Sequence, residues 1–388
     1  MVDHSILLGK LEHYGIRGKY LDWFKSYLTD RHQYVHVNNH DSTSCTLEYG
    51  VPQGSILGPT LFLLYVNDMP EISKLADYIF FADDANLIFT ADNFEILREN
   101  INKVLQLIQN WVVNNGLKLN IKKTKYMVFT NKLKQNLDIS FNGVQIEQSD
   151  RERFLGVILD SGLTWSHHIN LLASKISRNA GILYRLKGIV PDKTLRTIFH
   201  SFIQSHLNYC SSVWGLGSKN SISKLFISQK KAIRAIDNKF NNYFYNKETG
   251  CTPSHTKEIF NRHNILTVHN LIAKSFLVLM HKIYLNIVPP GIGELFNIIN
   301  LYQRRRDPLF FTVPYNRLKS TDRTITYYGP KLYNQTANIL NKTLPPKEPQ
   351  LQNKFMNPYK ATITRYISEI QNIGDETWTD KNFVSILY

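Results

Sequence analysis

Two adjacent carboxylates, Asp83 and Asp84, interrupt two apolar runs at a point where the chain has to reverse direction. Upstream lie Tyr78, Ile79, Phe80 and Phe81; downstream lie Leu87, Ile88 and Phe89. Aromatic and β-branched runs on either side of a short polar break predict strand, tight turn and strand, with both acids at the turn. Two like charges ~4 Å apart at an effective dielectric near 20 repel by about 4 kcal/mol, so the pair favours protonation, dispersal into water or a divalent cation. An Asp-Asp step also serves plain turn geometry and solvation, and the surrounding sequence decides between the two uses.

Upstream, Gly50-Val51-Pro52-Gln53-Gly54-Ser55-Ile56-Leu57-Gly58-Pro59 is a loop rich in glycine and proline that feeds an apolar segment, Thr60 to Val66. Pro59 suits the first turn of a helix whose buried face is Leu61, Phe62, Leu64 and Tyr65, and the glycines let backbone approach a ligand closely. Downstream, a helix is predicted over roughly Asn93 to Asn114, with Gly116 as its C-terminal stop ahead of Leu117 to Lys125. The segment Arg153 to Asp160 reads as a short strand that bends at Gly156. A hairpin is expected from Gln33 to Val37, through an Asn38-Asn39 turn, to Cys45 to Tyr49.

In this order and spacing the motifs resemble the reverse transcriptase of non-long-terminal-repeat (LINE-type) retrotransposons, most closely the jockey-like branch, over residues 1 to about 240. The resemblance implies that Pro52, Gln53, Gly54 and Ser55 contact template and nucleotide. It implies that Phe81-Ala82-Asp83-Asp84 is a metal-binding hairpin for Mg²⁺, with Mn²⁺ as a substitute. By the same likeness Lys123 lies near the incoming triphosphate, and Phe154, Leu155 and Gly156 form the primer grip. Taken singly, the glycines read as an ordinary turn and the lysines as a solvated face; the order of the motifs together carries the resemblance. The implied partners are an RNA template, a DNA primer and deoxynucleoside triphosphates, with action in the nucleus.

One departure stands out. The family carries a third carboxylate on a strand preceding the segment that here reads Val2-Asp3-His4-Ser5-Ile6-Leu7-Leu8, and this sequence shows none there. Asp3 precedes an apolar-periodic run through Ile6, Leu7 and Leu11, which suits a helix cap better than a metal ligand. The expectation is a chain truncated before that strand, lacking appreciable polymerase activity by itself.

Charge points to a polyanionic partner. The net charge is +15, yet residues 1 to 169 hold 16 Lys and Arg against 19 Asp and Glu, while residues 170 to 388 hold 30 against 12. An acidic region suits metal, whereas a basic face attracts phosphate and releases counterions. In the basic part, Ile169, Leu172, Ala173, Ile176, Ala180 and Leu183 follow helical spacing with Lys175, Arg178 and Arg185 largely off the stripe. Further helices are expected from Pro191-Asp192 to Ile203, over Gln229 to Ile236 with Lys230, Lys231 and Arg234, and over Leu266 to Asn286. Resemblance makes the first three a thumb that grips duplex backbone.

Beyond residue 250 a basic cluster, Arg304 to Arg306, and a proline-rich linker, Lys342 to Pro349, are expected. Tyr327 to Asn334 suits either base stacking or a Tyr-rich core. Cys45, Cys210 and Cys251 are too few and too far apart for a disulfide framework or a zinc site, and His167-His168, His200 and His206 lack metal-ligand spacing and read as surface or helix-end residues. No apolar run reaches the ~20 residues of a membrane helix, and an intracellular protein is expected.

These readings give an α+β chain: a partial right-hand polymerase palm, an antiparallel sheet with helices, followed by a helical thumb and a C-terminal extension. The expected domains are 1–150, partial fingers and palm; 151–250, primer grip and thumb; and 251–388, an extension with no assigned role. The expected function is RNA-directed DNA polymerase by two-metal nucleotidyl transfer in the intact protein. The alternative is a non-catalytic nucleic-acid-binding remnant of the element.

Overall fold

A computed structural model describes residues 2–130, 135–237, 243–246, 250–253, 256–299, 311–315, 324–340, 360–365 and 367–368. The mix of helices and small sheets is an α+β arrangement, in two compact units, Met1–Asp150 and Arg151–Tyr388.

The first unit opens with α1 (His4–His13), capped by the Asp3 carboxylate, which accepts from the backbone N–H groups of Ser5 and Ile6. Next come α2 (Lys19–Leu28), β1 (His32–Gln33), β2 (His36–Val37), β3 (His40–Asp41), β4 (Cys45–Thr46) and α3 (Leu57–Val66). Leu7, Leu11, Leu28, Leu61 and Tyr65 bury the faces of α1, α2 and α3 together. Tyr65 donates its hydroxyl to the Asn115 carbonyl at 2.5 Å, and Lys10 donates to the Tyr65 carbonyl at 2.6 Å and to Asp68 at 2.7 Å.

The second core of this unit is built on β5 (Asp77–Phe81), β6 (Asp84–Ile88) and α4 (Phe94–Asn114). Asn93 caps α4 by accepting from the Ile96 N–H. At its other end Gly116 has φ +58°, and the N–H groups of Gly116 and Leu117 return to the carbonyls of Val113 and Val112, a Schellman stop. Ile101, Val104, Ile108 and Val112 pack against Tyr78, Phe80 and Leu87 of the hairpin. Four short strands follow, β7 (Lys125–Tyr126), β8 (Ser140–Phe141), β9 (Val144–Gln145) and β10 (Glu147–Gln148). Trp111 and Leu117 pack against both cores, so the end of α4 joins them.

In the second unit, β11 (Arg151–Phe154) and β12 (Val157–Asp160) form a hairpin, and α5 (Ser166–Leu186) follows. Then come α6 (Asp192–Phe199), a π turn (His200–Gln204), α7 (Ser205–Asn208), α8 (Ser211–Trp214) and α9 (Lys219–Ala235). The pair β13 (Tyr243–Asn246) and β14 (Gly250–Pro253) precedes α10 (Lys257–Arg262), α11 (Val268–Tyr284), α12 (Pro290–Gly293) and α13 (Ile325–Leu340). One core runs through Ile169, Ile176, Phe199, Trp214, Phe276 and Tyr333 to Ile367. Tyr333 and Leu332 are thus core residues, which decides the Tyr-rich segment for packing.

Several expectations meet a different geometry. The described strands pair two by two, so no sheet among them has more than two strands. The expected Gln33 to Tyr49 hairpin is two ladders in series: β2 pairs β3 across Asn38 and Asn39, both at positive φ, while β1 pairs β4. The bent strand over Arg153 to Asp160 is a hairpin that turns at Leu155-Gly156. The expected helix over Gln229 to Ile236 begins at Lys219. Arg304 to Arg306 and the Lys342 to Pro349 linker lie outside the described residues. No described helix is long and apolar enough to cross a membrane.

Candidate active site

The carboxylate pair stands at the tip of the β5–β6 hairpin. Phe81 pairs with Asp84, so the two-residue loop is Ala82-Asp83, and Asp84 is the first residue of β6 rather than part of the loop. Side chains opposite each other in a ladder share a face, which groups Asp77, Ile79 and Phe81 with Asp84, Asn86 and Ile88. The other face, Tyr78, Phe80 and Leu87, rests on α4, and burial raises the Tyr78 phenol's pKa. The Asp84 face is open: Phe81 is 60% exposed, and Asp83 and Asp84 are exposed.

The Gly50 to Pro59 loop is held by its own polar groups. Ser55 donates its hydroxyl to the Pro52 carbonyl at 2.8 Å and accepts from the Gly58 N–H at 3.0 Å. A Cβ on Gly58 would stand 2.8 Å from the Pro52 oxygen, so only glycine fits there. Gln53 and Gly54 form the exposed tip, and α3 starts at Leu57, with Pro59 in its first turn. The anchored hydroxyl of Ser55 shapes the loop, leaving its tip residues to face outward.

Lys123 ends an exposed 3₁₀ turn, Ile121–Lys123, directly after the Schellman stop of α4. Leu117 and Ile121 of that segment pack on the same core as Tyr78, Phe80 and Leu87. One helix thus supports both the acidic hairpin and the lysine turn. Phe154, Leu155 and Gly156 sit at the β11–β12 turn of the second unit.

Two clusters escaped the sequence reading. On α2, Tyr20, Trp23 and Tyr27 follow helical spacing; Trp23 and Tyr27 stack at 5.7 Å and 7°, and Arg31 lies 5.4 Å over Tyr27. Under the β11–β12 turn lie Tyr209, His168 and Trp214, of which His168 is a buried first-turn residue of α5 rather than a surface one. The helical spacing of the first cluster was visible in the sequence. The second joins residues 54 apart, and no local pattern announces it.

Residues 1–159 match the family described as reverse transcriptase (RNA-dependent DNA polymerase). These residues are a reverse transcriptase domain. The matched stretch takes in the hairpin, the Lys123 turn, the Gly50 to Pro59 loop and the β11–β12 turn. The chain is also 28% identical over 224 residues to the RNA-directed DNA polymerase from mobile element jockey of Drosophila melanogaster, covering 55% of this chain and 24% of that protein. It is 28% identical over 229 residues to the probable RNA-directed DNA polymerase from transposon BS of the same fly, covering 56% and 25%. The corresponding protein from transposon X-element matches at 28% over 228 residues, covering 56% and 25%. The chain therefore spans about a quarter of the length of the curated relatives it matches.

A reverse transcriptase domain implies a divalent cation, and the donor chemistry at the hairpin fits one: hard carboxylate oxygens, exposed, on adjacent residues. Among the described residues no group of three or more His, Cys, Asp or Glu is gathered. At the hairpin tip the adjacent exposed carboxylates are Asp83 and Asp84.

Proposed function

We propose that the reverse transcriptase domain serves RNA-directed DNA synthesis in a mobile element, with residues 1–150 as partial fingers and palm, 151–250 as primer grip and helical thumb, and 251–388 as a C-terminal extension with no assigned role. The observation that carries this reading is the Asp83-Asp84 tip, open on the face of Asp84 and braced by α4 on the other. Asp83 and Asp84 would hold Mg²⁺, or Mn²⁺ in its place, through their carboxylate oxygens. The cation would supply Lewis-acid activation and charge neutralisation for nucleotidyl transfer. Lys123 offers the incoming deoxynucleoside triphosphate a point charge on a flexible stem. Pro52, Gln53, Gly54 and Ser55 let backbone approach template and nucleotide, and Phe154, Leu155 and Gly156 support the DNA primer. The resemblance adds action in the nucleus.

The test is Mg²⁺-dependent extension of a DNA primer on an RNA template by a polypeptide that contains this chain. Asp83→Asn and Asp84→Asn are each expected to abolish extension and leave primer–template binding intact. Extension that survives both substitutions overturns the assignment. The excess of 30 basic over 12 acidic residues from 170 to 388 favours a second reading, a nucleic-acid-binding remnant. Salt-dependent binding with no extension by any form of the protein would select it.

A further inference from the structure

The turn between β11 and β12 is clamped from a distance. Tyr209 donates its hydroxyl to the Leu155 carbonyl at 2.6 Å, and a Cβ on Gly156 would stand 3.3 Å from the Tyr209 ring. Leu155 and Gly156 have φ +44° and +84°, the pattern of a two-residue type I′ turn. Glycine adopts this region freely. Leucine does not, and a non-glycine residue there carries roughly 1–3 kcal/mol of strain and persists only where its surroundings over-determine it.

The clamp is itself fixed. The buried Trp214 indole donates to the Tyr209 carbonyl at 2.7 Å, and Cys210 turns the chain at φ +51°. On the other side of the turn the Ile158 N–H donates to His168 Nδ1 at 3.2 Å, and the His168 ring lies 6.2 Å from that of Trp214. Turn and strand are thus referred to one buried tryptophan.

The exposed face of the strand that leads into this turn is cationic, with Arg153 next to the residue that closes the turn and Arg151 at the far end of the ladder. Arg151 and Arg153 occupy the exposed positions of β11, and Arg151 reaches His167 at 3.3 Å. Burial first, then the charges of Lys175 and Arg153, hold His168 down to about 4, so those cations lie close around it. The nearby Asp160 carboxylate is occupied by the Thr164 and Trp165 backbone N–H groups. Such a strand face suits a phosphate backbone, which carries position rather than sequence.

We infer that Tyr209 is a positioning residue for nucleic-acid backbone recognition: its hydroxyl fixes the strained Leu155 peptide and so the aim of the Phe154 to Val157 turn. This rests on the reading of that turn as the primer support. Tyr209 touches the turn and acts on the primer only through it.

The test is the affinity of the full chain for an RNA–DNA primer–template duplex, followed by fluorescence anisotropy, with 2-aminopurine at the primer 3′ end as a local signal. Tyr209→Phe keeps the ring against Gly156 and removes one hydrogen bond. It is expected to weaken binding by about three- to tenfold, shift the 2-aminopurine emission and leave Tm nearly unchanged. Adding Leu155→Asn should restore affinity and emission, because asparagine tolerates the left-handed region. Native affinity in Tyr209→Phe, or loss that Leu155→Asn does not repair, overturns the inference. A Tm that falls in step with affinity in both Tyr209→Phe and Gly156→Ala also overturns it, in favour of a folding defect. The two readings separate on Phe154→Ala: if that change leaves binding intact, the primer-support reading fails, whereas weakening by Phe154→Ala but not Tyr209→Phe removes the positioning role alone.

Discussion

Ala82 stands at φ +52° between Phe81 and Asp83, while Asp83 is outside the positive-φ region, a pattern in which the first loop residue is ordinarily glycine. A methyl group there holds the backbone against a local preference of about 1–2 kcal/mol. The strain sits beside the carboxylates, and a backbone direction fixed against local preference is what the proposed role of this tip calls for. Ala82→Gly relieves it but loosens the unfolded chain by roughly 0.5–1 kcal/mol, so the expected net is a gain of up to about 1 kcal/mol. Chemical denaturation measures it, and a clear loss of stability would mean that the alanine methyl is held in place by packing. The hairpin around these acids was legible from the apolar runs on either side. The position of Asp84 within the strand was not, because pairing register at a two-residue break depends on which residue takes the positive φ.

Helices show the same division between local and distant causes. Asp3 was legible as a cap from its place before an apolar-periodic run, and its carboxylate accepts from Ser5 and Ile6 N–H groups. The Ser5 hydroxyl, then the Ile6 N–H, hold its carboxyl below its ordinary pKa. A carboxylate lowered on folding stabilises above its unfolded pKa and loses that contribution as pH falls through the folded value. Asp3→Ala should therefore cost about 1 kcal/mol at neutral pH, with the difference from the native chain shrinking in acid below the usual carboxylate range. Equal stability of the two proteins at pH 7 in urea unfolding would contradict the cap. By contrast, the π turn at His200–Gln204 had no local signature. There the Asn179 side-chain amide donates to the Phe202 carbonyl at 2.7 Å, a tertiary bond of the kind that opens a helix ladder. Apolar spacing found α4 and α5 because each buries one stripe, and the apolar run of α11 marked a helix buried on most of its sides. Spacing missed the first part of α9, where Ile222, Leu225 and Phe226 bury among serines and lysines.

At the scale of the molecule, charge and motif order were readable, whereas the sharing of one core by residues 169 to 367 was not, since contacts between distant segments leave no period in the sequence. That core encloses two histidines with consequences for acid stability. His168 is 3% exposed and His281 is fully buried, its Nδ1 2.8 Å from the Tyr333 hydroxyl. Burial lowers both to about 4 from 6.5, aided at His168 by Lys175 and Arg153. Between these values the unfolded chain binds protons that the folded unit refuses, so stability falls as pH drops from 6.5 and the loss levels off near 4. Each group accounts for up to about 3 kcal/mol. Urea midpoints of the native chain should decline across that window, and the double variant His168→Asn/His281→Asn should show a flatter profile. An equal decline in both proteins would remove His168 and His281 as its source and assign it to other groups, among them His206, which burial, then the Lys175 charge, also holds below its ordinary value.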